Sequence, residues 1–207
     1  MDAIALLKSD HQTVEKLFKQ FEKLGDRALQ AKKAVVAKII RELAVHAAIE
    51  EMIFYPAVRA AAAEAGNKSG EATDDMVLVA LEEHHIVKWT LSELEKMEPD
   101  AERYDAKMDV LMESVRYHVE EEEEDLFPKA TRLLGKKLLA ELGERMEQAK
   151  KLAPTRPHPR SPDQPPGNLV AGAVAGMVDK GRELVMDAAE KIGKKAKSKI
   201  KAARSEA

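Results

Sequence analysis

HAAIEEMIFYP at residues 46–56 and HVEEEEEDLFP at residues 118–128 are two versions of one pattern. Each runs His-x3-Glu-Glu and reaches a proline ten residues after its histidine. The echo continues upstream, where Asp10-His11-Gln12-Thr13-Val14 matches Glu83-His84-His85-Ile86-Val87 and the correspondence extends without a gap to Leu24 and Met97. His11 and His84 are 73 residues apart, and His46 and His118 are 72 apart. Self-similarity at this period implies two copies of one helical hairpin related by a pseudo-twofold axis.

Four long helices are expected around these motifs, at about 2–24, 29–64, 73–97 and 101–126, with a shorter fifth at about 135–152. The breakers between them are Gly25-Asp26, Gly66-Asn67-Lys68-Ser69-Gly70, Glu98-Pro99-Asp100 and Pro128. Short connections make successive helices antiparallel, so an all-α, up-down-up-down four-helix bundle is the expected architecture. Ala, Leu, Glu and Lys are abundant, aromatics make up only 4% and charged residues 34%, which suits amphipathic helices better than strands. Apolar residues recur at helical spacing: Ile4, Leu7, Val14, Phe18 and Phe21; Val36, Ile39, Leu43, Ile53 and Phe54; Val77, Leu81, Val87, Leu91 and Leu94; Met108, Leu111, Val115 and Leu126.

Residues 1–152 are expected to form the bundle, 153–167 a proline-rich linker and 168–207 a basic amphipathic helical tail. The stretch from Pro154 to Pro166 holds six prolines in 13 residues, so it cannot continue a helix and should behave as a stiff, extended spacer. Beyond it, Val170, Val174, Met177, Val185, Ala188 and Ile192 share one face, and lysines crowd the end of the segment. Residues 167–207 carry nine Lys/Arg against five Asp/Glu, whereas the whole chain is at −3. Such a tail suits peripheral contact with an anionic membrane or a protein, or simple solvation; no specific nucleic-acid partner is expected.

Several chemistries are excluded or unsupported. No cysteine occurs, which removes disulfides, thiolate metal sites and cysteine nucleophiles together. Gly66-Asn67-Lys68-Ser69 lacks the spacing of a phosphate-binding loop, and no Gly-x-Ser-x-Gly elbow is present. The apolar run from Leu169 to Val178 is too short to span a bilayer, and the N-terminus shows no basic leader with an apolar run, so a cytoplasmic location is expected.

The chemistry therefore rests on the repeat. His46 and Glu50 are one turn apart, as are His118 and Glu122, so each pair projects from one helix face. Leu43 and Ile53 flank the first pair, Val115 and Leu126 the second, Leu7 and Val14 flank His11, and Leu81 and Val87 flank His84. All six groups thus point inward. A single histidine on an apolar face is more often a hydrogen-bonded core residue than a ligand. Four at repeated positions, with two buried carboxylates, require cationic compensation that two metal ions would supply. His85, Glu51 and Glu123 are candidates for the same shell; Tyr55 and Tyr117 adjoin the ligand pairs and each offers a phenolate, but both read more readily as caps on the end of the bundle, and Trp89 reads as a packing residue. Imidazole and carboxylate donors on facing helices suit iron, manganese or zinc.

The order His, His-x3-Glu, Glu-His, His-x3-Glu, with Tyr55-Pro56 and Phe127-Pro128 after the pairs, resembles the hemerythrin-like (HHE cation-binding) family over about residues 3–130. That resemblance implies a carboxylate-bridged pair of iron ions that meets dioxygen, peroxide or nitric oxide, in oxidative or nitrosative stress or in sensing. A catalase-like or other redox activity is one expectation. By position, His11, His46, His84 and His118 would be terminal ligands and Glu50 and Glu122 would bridge, with manganese or zinc as alternative metals. One departure stands out: oxygen-carrying hemerythrins are expected to show His-x3-His in the third helix, and this chain has Lys88 there. Fewer nitrogen donors favour redox chemistry or sensing over reversible oxygen carriage. The competing reading is a non-enzymatic, metal-dependent sensor or interaction module acting through the tail.

Overall fold

The computed structural model describes residues 1–162 and 175–180. The described elements are helical: α1 (Ala3–Glu22), α2 (Leu29–Ile49), α3 (Tyr55–Ala65), α4 (Lys68–Leu94), α5 (Tyr104–Glu121) and α6 (Phe127–Lys150). A π-helical segment, Glu50–Phe54, joins α2 to α3, and a second, Glu122–Leu126, joins α5 to α6. The result is the expected up-down-up-down bundle, its four arms being α1, the continuous α2–α3 rod, α4, and the α5–α6 rod as far as Gly135.

Capping explains where the arms begin and turn. Asp2 accepts a hydrogen bond from the Ala5 amide at 2.8 Å and starts α1. Gly66 ends α3 in the left-handed region (φ 56°), and Asn67 at once caps α4 by accepting from the Ser69 and Gly70 amides, both at 3.0 Å. Helix α4 therefore starts at Lys68, five residues earlier than the glycine-rich composition suggested. Gly70 is not a loop residue: a Cβ there would lie 2.3 Å from the Ala62 carbonyl oxygen, so it is the point where α3 and α4 backbones meet.

Pro128 behaves differently from expectation, because it follows a π segment and does not end its helix; Pro56, inside the expected second helix, follows a π segment too. The amides of Tyr55 and Phe127 reach back five residues, to the carbonyls of Glu50 and Glu122. This wide turn takes up the hydrogen-bond step that the following proline could not make. The break comes instead at Gly135 (φ 67°, ψ 165°), which only glycine adopts readily, and the expected fifth helix is the limb of α6 beyond it. That limb packs on the N-terminus, where a Cβ on Gly143 would sit 2.2 Å from the Met1 carbonyl oxygen.

The interior has two apolar clusters. One gathers Leu6, Leu7, Ile49, Phe54, Val77, Leu81, Leu126, Phe127, Leu142 and Met146. The other gathers Val14, Phe18, Phe21, Ile39, Leu43, Leu91, Tyr104, Met108, Leu111 and Val115. In all four arms the histidines lie between residues of the first cluster and residues of the second, so a polar layer divides the core.

As far as Pro162 the proline-rich stretch is non-helical, but residues 153–157 lie against the bundle instead of extending into solvent. Ala153, Pro154, Thr155 and Pro157 are buried. The amides of Thr155 and Arg156 donate to Asp179 Oδ2 at 3.0 and 3.1 Å, and Arg156 pairs with Glu95 at 2.7 Å. Residues 175–180 are helical; the rest of the expected amphipathic tail lies outside the described residues. Among the described residues, no helix is long and apolar enough to cross a membrane.

Candidate metal centre

His11 comes from α1, His46 from α2, His84 from α4 and His118 from α5, and the two glutamates open the two π segments. All six are buried. Their Nε2 atoms face one another in pairs, His11 to His46 at 3.3 Å and His84 to His118 at 3.2 Å. Glu50 Oε2 lies between the pairs, 3.1 Å from His46 Nε2 and 3.4 Å from His84 Nε2. Glu122 Oε2 does the same on the other diagonal, 3.3 Å from His11 and 3.5 Å from His118. Two donor groups share this volume: His11, His46, Glu50 and Glu122, and then Glu50, His84 and His118.

The four Nδ1 atoms point outward, each toward a carboxylate. His11 meets Glu123 at 2.8 Å, His84 meets Glu51 at 3.0 Å, His118 meets Glu83 at 2.7 Å, and His46 approaches Asp10 at 3.5 Å. These partners obey the repeat. Asp10 and Glu83 directly precede the first histidine of each half and face the second, Glu83 with a hydrogen bond and Asp10 without one; Glu51 and Glu123 directly follow the Glu of each pair and hold the first histidine of the other half. Where that hydrogen bond is made, at His11, His84 and His118, an ionised carboxylate can only accept, so Nδ1 donates and Nε2 faces the centre. Glu51 and Glu123, candidates for the inner shell from sequence, therefore lie outside it as supports for His84 and His11. Asp10 and Glu83 were missed, although an acidic residue before a histidine in both halves was a readable signal.

Three of these supports carry a lysine: Lys150 on Asp10 at 2.5 Å, Lys8 on Glu123 at 3.3 Å, and Lys88 on both oxygens of Glu51 at 2.9 and 3.0 Å. Lys88 thus takes the place where a fifth histidine was sought, but it acts on the centre through Glu51. His85 is exposed and accepts a hydrogen bond from Trp89 Nε1 at 3.0 Å, outside the cluster. Trp89 is partly exposed, under the Arg160 guanidinium.

The pseudo-symmetry breaks at the residue before each proline. Tyr55 and Phe127 are equivalent in the repeat. The Phe127 ring stacks on His11 with centroids 5.9 Å apart, whereas the buried Tyr55 hydroxyl donates to Glu122 Oε1 at 2.8 Å and lies 3.5 Å from His84 Nε2. Tyr117 points away and donates to Glu121 on the exposed face.

Electrostatics show what the cluster lacks. Burial pushes the Glu50 carboxyl well up, and the neighbouring Glu122 charge pushes it further. Burial also acts on Glu122, but the nearby His118 and His11 outweigh it and hold that carboxyl ionised. Burial lowers His46 to about 4, and lowers His84. For His118 burial is overcome by the Glu122 charge and the Glu83 hydrogen bond, and its pKa rises. Both Glu50 oxygens and Glu122 Oε2 have no hydrogen-bond donor. Buried carboxylate oxygens without donors, beside imidazole lone pairs aimed at one another, are reconciled by cations with nitrogen and oxygen preference. The residues present therefore fit two metal ions, one at each histidine pair.

Known proteins agree with this geometry. The family model of the hemerythrin HHE cation binding domain matches residues 2–130. An uncharacterized hemerythrin-like protein of Schizosaccharomyces pombe is 30% identical over 148 residues, spanning 72% of this chain and 70% of that protein. The crystal structure of a hemerythrin HHE cation binding domain-containing protein from Mycobacterium kansasii superposes with a TM-score of 0.59 at 26% identity, covering 73% of this chain and 88% of that one. On its fold, its repeated histidine and glutamate layer and these matches, the chain belongs to the hemerythrin HHE cation-binding domain family.

Proposed function

We propose that this protein holds two iron ions and binds or turns over a small oxidant, namely dioxygen, peroxide or nitric oxide. The observation that carries the reading is the pairing of the polar layer with an apolar cavity of about 260 Å³ that touches all four histidines. Val14, Phe18, Leu43, Val87, Val115 and Val119 supply most of its remaining wall, and the partly exposed Glu15 and Arg116 lie toward solvent. An apolar approach to a polar centre suits a small ligand with little hydration to lose. Iron held by these histidines and glutamates would supply the redox change.

The chain's own residues do the rest. Glu50 reaches both histidine pairs, so it is placed to span two ions. Glu51, Glu83 and Glu123 hydrogen-bond their imidazoles and fix the ring orientation, and Asp10 faces the fourth. Tyr55, whose phenol is pushed well up first by burial and then by the Glu122 charge, keeps a proton within 2.8 Å of Glu122 Oε1. Apolar layers above and below exclude bulk water.

The test is iron content and visible absorption of protein made in iron-supplemented medium, before and after peroxide, beside His46→Ala/His118→Ala. Two irons per chain, lost in the double variant together with the absorption, are expected. Wild-type protein that stays metal-free and folds as stably as the variant would overturn the reading.

A further inference from the structure

A second opening reaches the same centre from a different side. Between α4 and the junction of α5 with its π segment lies a cleft of about 220 Å³ whose charged lining is Asp75, Glu83, Glu121 and Asp125, with Glu122 and His118 at its inner end. Among the described residues no lysine or arginine lines it. Exposure falls along these carboxylates, from 61% for the Asp125 side chain to 22% for Glu83 and 2% for Glu122. Glu83 is also the one outer support that no lysine or arginine pairs with among the described residues; Asp10, Glu51 and Glu123 each have a lysine. Lys129 approaches Asp125 only at 3.6 Å on the exposed side. Independently of these acids, the buried Glu122 Oε2 at the inner end has no hydrogen-bond donor.

A divalent cation must reach a layer sealed between two apolar clusters. Crossing an apolar wall strips its hydration without replacement, which is prohibitive. A path of carboxylates exchanges water for oxygen ligands stepwise, and an uncompensated negative mouth raises the local cation concentration and the on-rate by about 10–10³. We propose that metal ions enter and leave the centre through this acid-lined cleft, with Asp75, Glu121 and Asp125 docking the hydrated ion and Glu83 passing it to Glu122 and His118. The apolar cavity on the α1–α5 side is thereby left to the small oxidant. The inference rests on the two-metal reading.

The experiment follows cobalt(II) chloride entering the metal-free full chain by stopped-flow visible absorption at low and high salt. Asp75→Asn/Glu121→Gln/Asp125→Asn removes the mouth charges and touches none of the six inner residues. Asp100→Asn/Glu102→Gln/Asp109→Asn makes the same change of net charge at exposed positions in the α4–α5 loop and the early part of α5. The cleft variant should load about tenfold or more slowly at low salt, with unchanged final stoichiometry and spectrum, and the gap should close near 1 M salt, where the Debye length falls to about 3 Å. The control should load at the wild-type rate. Loading of the cleft variant within twofold of wild type, or equal slowing of the control, overturns the route while leaving the centre standing. Wild-type protein that takes up no cobalt overturns both readings.

Discussion

Replacing Lys88 by methionine isolates what the chain gained by not having a histidine there. Lys88 Nζ touches both Glu51 oxygens, at 2.9 and 3.0 Å, and the two side chains are only 10% and 7% exposed, so solvent screening is slight. Methionine preserves the buried stem and deletes the charge. Removing one partner of a buried ion pair costs about 3–5 kcal/mol, because the other charge is left uncompensated. Glu51 keeps the His84 Nδ1 hydrogen bond at 3.0 Å, which places the loss at the low end, about 3 kcal/mol. For a chain of this size that is a fall in Tm of about 6–12 °C. Thermal and urea unfolding of the metal-free protein measure it. The pH dependence has a definite sign. Burial would raise the Glu51 carboxyl, but His84 and Lys88 outweigh it and hold it below the ordinary range. Its contribution is therefore present above the unfolded value of about 4.3 and lost as pH falls through the lower folded value, so the wild-type and variant curves should converge below about pH 4. Adding Glu51→Gln to Lys88→Met should recover about 2 kcal/mol. A loss under about 1 kcal/mol, or strict additivity of the two substitutions, would refute the reasoning.

Metal affinity should fall as pH falls, because Glu50, raised by burial and Glu122, and His118, raised against burial by Glu122 and Glu83, must both give up protons to bind a cation. Titration calorimetry in buffers of different ionisation enthalpy should detect proton release at neutral pH, and a buffer-independent heat would count against it. Tyr55→Phe removes the donor to Glu122 Oε1 and should cost the metal-free protein about 2 kcal/mol in urea unfolding, with Phe127→Tyr giving no reciprocal gain. Gly70→Ala drives a methyl into the Ala62 carbonyl and should cost about 2–3 kcal/mol, whereas Gly25→Ala, with open space around it, should stay within about 1 kcal/mol. Asp179→Ala deprives two amides and His158 of their acceptor, and limited proteolysis should then cut within residues 153–162 faster than in wild type.

Local periodicity and the repeat were enough to read the four arms of the bundle, their antiparallel order and the six inward residues. Both properties are written within single helices: an i, i+4 pair such as His46 and Glu50 must share a face wherever the helix ends up, and Leu7 and Val14 bracket His11 on any α1. Which group meets which across the bundle was not written there. Glu51 and Glu123 looked like spare ligands because they adjoin the bridging positions, and only the azimuth of α4 and α1 turns them into acceptors for His84 and His11. The π segments contribute to that azimuth, since one extra residue in a turn rotates everything beyond it by about 100°. The same rotation carries Tyr55 inward, while Tyr117, one residue before His118, falls on the solvent side. Gly70 read as a turn residue because composition cannot tell a chain that must bend from two backbones that must touch. As far as Pro162 the proline-rich stretch is non-helical, but its position against the bundle depends on Asp179, a partner 23 residues beyond Arg156. Spacing along the chain determined the faces; side-chain contacts between helices, which depend on register and rotation, decided the partners.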